Sequence, residues 1–281
     1  MASVNSKFRN LIKPILFRIL GESSYSYFLK LGKIQDIRKR LVEEPEMGLL
    51  PLIVSPGSVC LDIGANYAYY SHRISQLVGP TGTVYSFEPI ASTYEVASYV
   101  LAWFKCENVR LYNLGVSHRD AEVEFSIPET KFGVVSAGLA HIGTRINQFD
   151  EESGYQFDRH RKVMAKVVRL DNFLLPQLER LDFVKIDIEG AEMWAFEGMK
   201  RMLQKFKPIV LCEYSPRLLE GFNVDPHLWE KSLRDEYDYD IFMYSPISQQ
   251  LTSVARGALK GSNYIFIPKC KREQFRDLIV G

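Results

Sequence analysis

The sequence predicts an α/β protein in which a mostly parallel β-sheet is covered by helices on both faces. From Gly57 onward, short apolar runs alternate with amphipathic stretches that have helical spacing. The runs are nearly continuous in apolar residues, which is typical of parallel strands buried on both faces. The composition fits a globular chain, since 46% of the 281 residues are hydrophobic and 25% are charged.

The first 55 residues predict a helical arm that precedes a sheet domain of residues 56–281. Apolar residues recur at helical spacing from Phe8 to Leu20, and Gly21 ends that helix. A second helix is predicted from about Tyr25 to Val42. The connection that follows contains proline and glycine, so we place the domain boundary there.

The charge of the chain is unevenly distributed, although the net charge is only +1. A chain this close to neutral lacks the basic character of nucleic-acid-binding proteins, so no nucleic-acid partner is predicted. Residues 1–40 carry nine Lys and Arg against two acidic residues, a net charge of +7. A basic amphipathic arm indicates either peripheral docking on an anionic membrane or packing against its own domain or a second copy of the chain.

The expected location is cytoplasmic, with peripheral membrane contact through the arm as an option. The four cysteines lie far apart without metal-ligand spacing, which favours reduced thiols. The N-terminal stretch has no signal-peptide cleavage site, and no apolar run approaches the ~20 residues of a membrane span.

The sheet domain contains five predicted strands that alternate with helices. They are SVCLDIG, TVYSFEP, VRLYNLGV, DFVKIDIEG and KPIVLCEYSP, and the helices between them are predicted at 70–78, 92–104 and 191–206. AEVEFSIPE adds a further strand, and the polar segment 131–166 is expected to be an irregular insert on the substrate side. DIFMYSP and NYIFIPK are predicted to pair as a hairpin near the end of the chain.

The strongest functional signal is VCLDIGANYAYYS, where an apolar strand ends at Asp62 and a tight turn at Gly64 leads into a helix. This geometry brings backbone N–H groups and a helix N-terminus to a ligand at the carboxyl edge of the sheet. A dinucleotide fingerprint needs three glycines, but Asn66 and Tyr69 occupy the second and third positions. The segment therefore disfavours an NAD(P)-dependent dehydrogenase.

The next strand ends at Glu88, 26 residues after Asp62. A carboxylate at that place can accept hydrogen bonds from both ribose hydroxyls of a nucleoside. For Glu88 alone, a solvated turn residue before Pro89 is the alternative. We expect Asp62 to face the other end of the ligand, where a cationic amino acid group would be stabilised.

A third segment, FVKIDIEGAE, places charges on a strand that should lie in the buried centre of the sheet. Strand alternation puts Lys185, Asp187 and Glu189 on one face, and buried charges are costly unless they are paired or used. The alternative is structural: Lys185 pairs with Asp187, and Glu189 caps the helix that begins near Gly190. We expect Asp187, at the carboxyl end of its strand, to be functional.

Glu213 ends the following strand in a comparable position, so Asp187 and Glu213 could converge in one cleft. His141 lies in the polar insert and could reach the same cleft, although a loop histidine is more often simply solvated. His72 and His118 are expected at the surface of a helix and a loop.

In this order the segments resemble the FkbM-type methyltransferases, which use S-adenosylmethionine. The resemblance runs from about Gly57 to Pro268 and rests on LDIGANYAYYS, VYSFEP, NVRLYNLGVS, VVRLDNFL, FVKIDIEGAE and PIVLCE. It implies a Rossmann-like seven-stranded methyltransferase sheet, mostly parallel, whose last strand inserts antiparallel. It also implies acceptors that are hydroxyl groups on sugars, glycolipids or polyketides.

The resemblance also implies which residues bind S-adenosylmethionine. They are Asp62, Gly64, Asn66 and Glu88, with Asn113 and Gly115 as neighbours of the adenine. One departure is Ala68, where such loops commonly hold glycine. Ser136 matches a serine that is common in the family's insert.

The expected reaction is the in-line transfer of a methyl group to an oxygen. An alcohol is a poor nucleophile while protonated, so a base or a metal is expected beside the oxygen. Asp187 is the first candidate for the base, with Glu213 and His141 as helpers. In a second version of the mechanism, a divalent metal bridges Asp187 and Glu213. The metal-free version is preferred, because the sequence shows no third metal ligand at a suitable spacing. A non-catalytic module that binds a nucleoside or a glycan is the alternative function, but it would not need buried charges at these positions.

Overall fold

A nine-stranded sheet forms the centre of the protein in the computed structural model, which describes residues 25–129, 140–142, 149–150, 155–156, 159–222 and 224–280. From one edge to the other the strands are β3 (Val109–Tyr112), β2 (Thr83–Phe87), β1 (Val59–Ile63), β10 (Phe183–Ile186), β11 (Ile209–Tyr214), β14 (Ser262–Pro268), β12 (Tyr239–Ser245), β13 (Gln250–Ser253) and β15 (Ile279–Val280).

The strand directions confirm the α/β fold class. The five strands from β3 to β11 are parallel to one another, and β14 runs antiparallel between β11 and β12. This is the seven-stranded methyltransferase arrangement with its inserted antiparallel strand. β13 and β15 extend the β12 edge, so the sheet has nine strands rather than the seven expected. The predicted pairing of DIFMYSP with NYIFIPK is confirmed by the β12–β14 register.

The helices lie between the strands, as the alternation predicts. They are α1 (25–38), α2 (Leu50–Ile53), α3 (Tyr69–Val78), α4 (Ala91–Trp103), α5 (Leu170–Phe173), α6 (Glu192–Gly198), α7 (Lys200–Phe206), α8 (Pro216–Glu220) and α9 (Pro226–Asp235). The single helix predicted over 191–206 is wrong, because α6 and α7 meet at Met199. Asp171 accepts hydrogen bonds from the N–H groups of Arg201 and Met202, at 3.0 Å each, and so caps α7 as a separate helix.

Two apolar layers cover the sheet because side chains alternate along each strand. Leu61, Val184 and Phe196 belong to the larger layer. Cys60 and Phe183 belong to the layer under α3. Burying a side chain such as Phe183 contributes about 1.5–3 kcal/mol. Three polar side chains are buried on the α3 side of the sheet, among apolar residues. They are Ser86, Asp62 and Lys185, which are buried and occupy one register row across β2, β1 and β10.

A second, four-stranded sheet consists of β4 (Gly115–Val116), β9 (Arg159–Val168), β5 (Ala121–Glu129) and β6 (His141–Ile142). The extra strand predicted for AEVEFSIPE is confirmed as β5. The irregular insert predicted over 131–166 is wrong for residues 159–166, which form β9 and pair with β5 along its whole length. β7 (Phe149–Asp150) pairs with β8 (Tyr155–Gln156). Ser136 lies outside the described residues.

The second half of the arm packs on the sheet domain. Ile34 of α1 is buried against Val96 and Val100 of α4, and Lys33 Nζ lies 4.0 Å from the centre of the Tyr67 ring. The apolar stripe of residues 8–20 lies outside the described residues, so its membrane docking and the boundary at 55/56 stay predictions. None of the helices in the described ranges is long and apolar enough to cross a membrane.

Candidate active site

The turn after β1 requires glycine at position 64. Gly64 has a φ of +84°, and a Cβ there would overlap the carbonyl oxygen of Asp187. Only glycine adopts this conformation without strain and lets the two chain segments approach so closely. Asn66 and Ala68 are also left-handed, with φ of 48° and 65°. Ala68 stands where the family pattern commonly has glycine, and its backbone adopts a conformation that favours glycine. Its methyl group is fully buried.

Glu88 joins the loops that follow β1 and β2. The Asn66 N–H donates to Oε2 and the Ile90 N–H donates to Oε1, both at 2.9 Å. The Asn113 amide donates to the carbonyl oxygens of Glu88 and Pro89, at 2.9 and 3.0 Å. Burial raises the pKa of Glu88 to about 7. Glu88 is therefore not a solvated turn residue, and each carboxylate oxygen keeps a further lone pair for a hydroxyl donor.

Asp62 lies beneath the loop in the register row of Ser86 and Lys185. The Ser71 hydroxyl donates to Asp62 Oδ2 at 2.5 Å and is 2.8 Å from the Ser86 hydroxyl. Oδ1 is buried and has no hydrogen-bond partner among the described residues. Burial raises the pKa of Asp62, and the charge of Lys185 opposes that rise. Contact of Asp62 with the amino end of a ligand stays a prediction.

Asp187 and Glu213 converge, as the sequence predicts. Lys185 Nζ donates to Asp187 Oδ2 at 2.8 Å, and the Lys185 side chain is 6% exposed against 36% for Asp187. A hydrogen bond joins the Asp187 and Glu213 side chains. Burial opposes ionisation of Asp187, but Lys185 outweighs it and lowers the Asp187 pKa. Burial and the charge of Asp187 raise the pKa of Glu213 to about 9. At neutral pH the pair therefore holds one proton, on Glu213.

The strand that carries Lys185 ends earlier than the alternation predicts. β10 stops at Ile186, and Glu189 has a left-handed φ of 58°, so Glu189 is not on the face of Lys185. The alternative, a helix cap by Glu189, is wrong, because Ala191 is the N-cap of α6 and no side chain in the described part of the chain caps this helix. Glu192 accepts hydrogen bonds from the N–H groups of Ile188 and Gly190, each at 3.1 Å, and holds the loop that follows Asp187. Burial raises the pKa of Glu192 to about 7.

The histidines singled out from the sequence are buried or partly buried in the fold. His141 is buried on β6 of the smaller sheet, with its ring 5.8 Å from the ring of His160. His72 is not a surface residue: it is buried on α3 with its ring 4.4 Å from that of Phe104. Helical spacing could not show that α4 ends against this face of α3. His118 is partly buried beside Trp194, at 5.0 Å between the rings.

The connection after α1 reaches the site, which the sequence pattern does not predict. The Tyr70 hydroxyl donates to Glu44 Oε2 at 2.8 Å, and Lys185 Nζ lies 4.7 Å from the centre of the Tyr70 ring. Glu46 lies close enough to Lys185 for their charges to interact. Among the described residues, no group of three or more His, Cys, Asp or Glu side chains could hold a metal ion.

The strand order, the glycine turn after β1 and the acidic residue after β2 define an α/β protein with a methyltransferase-type sheet. The candidate site lies at the carboxyl edge of its central strands, where α/β proteins bind ligands.

The chain belongs to the Methyltransferase FkbM domain family, whose profile matches residues 62–241. The match covers more than half of the chain and includes Asp62, Glu88, Asp187 and Glu213.

Curated relatives and a solved structure are similar to this chain. The 2-O-methyltransferase NoeI of Sinorhizobium fredii is 26% identical over 209 residues, which cover 69% of this chain and 84% of NoeI. Methyltransferase 1 of Beauveria bassiana is 23% identical over 146 residues, which cover 50% of this chain and 58% of that protein. The crystal structure of an FkbM methyltransferase from Methylobacillus flagellatus aligns with a TM-score of 0.49 and 16% identity over 95% of this chain and 56% of that one. The chain thus spans little more than half the length of the last two proteins.

Proposed function

We propose that the protein is an S-adenosylmethionine-dependent O-methyltransferase that methylates a hydroxyl group of a sugar, a glycolipid or a polyketide-like acceptor. Membership of the FkbM family supports methyl transfer, and the similar NoeI protein is named as a 2-O-methyltransferase. The observation that carries the proposal is the Asp187–Glu213 pair, anchored by Lys185 and adjoining the Gly64 turn.

The residues around the turn fit S-adenosylmethionine. Glu88 offers acceptor lone pairs for two ribose hydroxyls, and Asn66 Oδ1 is buried without a hydrogen-bond partner among the described residues. Asn113 fixes the backbone at Glu88 and Pro89, where the adenine side of the site would begin. A Cβ on Gly115 would lie 2.9 Å from Val167, so this strand packs tightly under Pro89. The cofactor supplies an electrophilic methyl group when bound.

The acid pair would act on the acceptor hydroxyl. Asp187 is ionised at neutral pH and its side chain is 36% exposed, so it can accept the proton of the acceptor hydroxyl during methyl transfer. Lys185 fixes the position of Asp187. Protonated Glu213 would donate a hydrogen bond to Asp187. A main contribution of the site would be to hold the oxygen at near-attack distance in line with the methyl group.

A non-catalytic module that binds a nucleoside or a glycan is the competing function. Such a module could use Glu88 and the Gly64 turn, but it has no use for a lysine and two carboxyl groups beside them. Burying charges costs several kcal/mol per ion, even when they are paired. The Lys185–Asp187–Glu213 group therefore favours an enzyme.

The test combines binding with transfer of label. The wild-type protein is titrated with S-adenosylhomocysteine and with NADH, then incubated with methyl-labelled S-adenosylmethionine and fractionated cell glycans and lipids. We expect binding of S-adenosylhomocysteine only, and label in a hydroxyl-bearing fraction. Asp187→Asn should bind S-adenosylhomocysteine normally but transfer label about 100-fold more slowly. Asp277→Asn, on a side chain that is 94% exposed, is the control.

A parallel assay in chelator distinguishes the metal-free mechanism from the metal-assisted one. Turnover that persists in chelator supports Asp187 as the base, whereas turnover that is lost and then restored by magnesium or manganese supports a bridging metal. Full activity of Asp187→Asn in chelator would exclude both versions. Binding of S-adenosylhomocysteine without transfer to any fraction would favour the non-catalytic module.

A further inference from the structure

The connection between α1 and α2 is anchored firmly in the core beside the acid pair. Residues Pro45–Gly48 form a 3-10 turn, closed by hydrogen bonds from the Met47 N–H to the Glu44 carbonyl and from the Leu49 N–H to the Glu46 carbonyl, both at 3.0 Å. Met47 and Leu49 are 7% and 1% exposed. The turn is thus a rigid support for the acidic side chain of Glu46.

Glu46 continues the row of polar side chains that begins with the acid pair. Glu213 of β11 faces Asn263 of β14 in the antiparallel register, which puts their side chains on the same face of the sheet. The Asn263 side chain lies close enough to Glu46 for the two to interact. The order across the sheet edge is therefore Asp187, Glu213, Asn263 and Glu46.

One oxygen of Glu46 lacks a partner. Glu46 Oε2 is buried and has no hydrogen-bond partner among the described residues. Buried polar atoms in folded proteins are almost always satisfied, so an exception calls for a ligand or a function. A carboxylate oxygen accepts hydrogen bonds and donates none, so it would select an O–H or N–H donor.

Glu46 and Asn263 both lie outside residues 62–241, which the family profile matches. The acid pair lies inside that range. The matched region thus contains the chemistry, and segments before and after it supply the neighbouring polar groups.

On this basis, and resting on the proposed function, we propose that Glu46 and Asn263 form an acceptor subsite. It binds a second hydroxyl group, next to the one held at Asp187. The acceptor is therefore a polyhydroxylated compound, such as a sugar ring, rather than a compound with an isolated hydroxyl. Glu46 determines specificity and does not take part in the chemistry.

The first experiment compares variants of the full chain in the labelling assay. Glu46→Gln should raise the KM for the labelled glycan fraction about tenfold, because a charge-assisted hydrogen bond is lost. Its kcat, its affinity for S-adenosylhomocysteine and its Tm should match the wild type. Asn263→Ala should act in the same direction. Glu43→Gln, in the same segment but paired with Arg40 in solvent, is the matched control.

The second experiment tests the acceptor class directly. The glycan and lipid fractions are oxidised with periodate, which cleaves neighbouring hydroxyl pairs, and are then reduced with borohydride. Loss of acceptor capacity supports the subsite. Undiminished labelling of the oxidised fractions overturns it, as does an unchanged KM in Glu46→Gln.

A purely structural role of Glu46 would lower Tm and weaken S-adenosylhomocysteine binding together with turnover, and that pattern also overturns the subsite. Failure of the proposed function looks different, because the wild-type protein itself would transfer no label to any fraction. In that case both proposals fall together.

Discussion

Glu213→Gln is the substitution that tests the acid pair most directly. Glutamine has nearly the same shape as protonated glutamic acid, and its amide can donate to Asp187 as the acid does. The substitution therefore keeps the neutral-pH geometry and removes only the ability of position 213 to ionise.

The magnitude follows from the displaced pKa of Glu213. The group titrates at about 9 in the folded protein, against 4.5 for an ordinary glutamate. Between these values the folded chain binds one proton that the unfolded chain has released, so the free energy of unfolding of the wild type falls as pH rises. The slope from this site is at most about 1.4 kcal/mol per pH unit. From pH 5.5 to 7.5 that is an upper bound of about 2.7 kcal/mol, which solvent screening of a partly exposed carboxyl reduces to about 1–2 kcal/mol.

The assay is urea unfolding of both proteins at pH 5.5, 6.5 and 7.5, followed by circular dichroism. The stability of Glu213→Gln relative to wild type should grow steadily with pH, because every other titrating group is common to both proteins. Glu273→Gln, on a side chain that is 81% exposed, controls for the loss of a carboxylate. A stability difference between Glu213→Gln and wild type that does not change with pH would show that Glu213 ionises near its ordinary pKa, and the shared proton would be refuted.

Four further outcomes are expected. Binding of S-adenosylhomocysteine should strengthen about tenfold from pH 6 to pH 8, because burial raises the pKa of Glu88 to about 7 and the ionised form accepts the ribose hydroxyls; a calorimetric titration checks this, and Glu88→Gln should bind more weakly at every pH. Gly64→Ala should cost more than about 2 kcal/mol of stability, since strain and overlap with Asp187 combine, whereas Gly257→Ala (φ +73°, open space) should cost about 1–2 kcal/mol in urea unfolding. Glu192→Ala should destabilise by about 2 kcal/mol or more, because two N–H groups lose their acceptor, and an equal effect of the exposed control Glu179→Ala would count against this explanation. The full chain should co-sediment with anionic vesicles, and replacing Lys7, Arg9, Lys13 and Arg18 by Gln should abolish this, at about 1 kcal/mol per charge; equal sedimentation would leave packing as the role of the arm.

The sequence predicts the sheet and the meeting of polar residues at its carboxyl edge well, because both depend on local patterns. The strands that carry Asp62, Glu88 and Glu213 are short apolar runs ending in a polar residue, and parallel pairing brings such ends to one edge. The convergence of Asp187 and Glu213 follows from the same rule.

The other features of the site depend on tertiary contacts, which the periodicity of the sequence does not predict. The pairing of Tyr70 with Glu44 spans 26 residues and joins the site to a segment that looks like a simple connection. Glu192 holds the loop before α6, and the helix cap considered for Glu189 does not form because β10 ends at Ile186 and the chain turns left-handed. His72 has the spacing of a surface residue, but the Phe104 ring at the end of α4 packs against it.

The position of β14 has a consequence for biosynthesis. β11 and β12 do not pair with each other: each pairs with β14, at residues 262–268, which is synthesised after both and lies between them. Until β14 is made, both strands present unpaired backbone edges, which invite association with other chains. Asn263 arrives on that same strand, whereas Glu46 is synthesised more than two hundred residues earlier. The half of the sheet that carries the Gly64 turn and Glu88 can thus form during translation, while the half that carries Asn263 of the proposed acceptor subsite is completed only after β14 has been made.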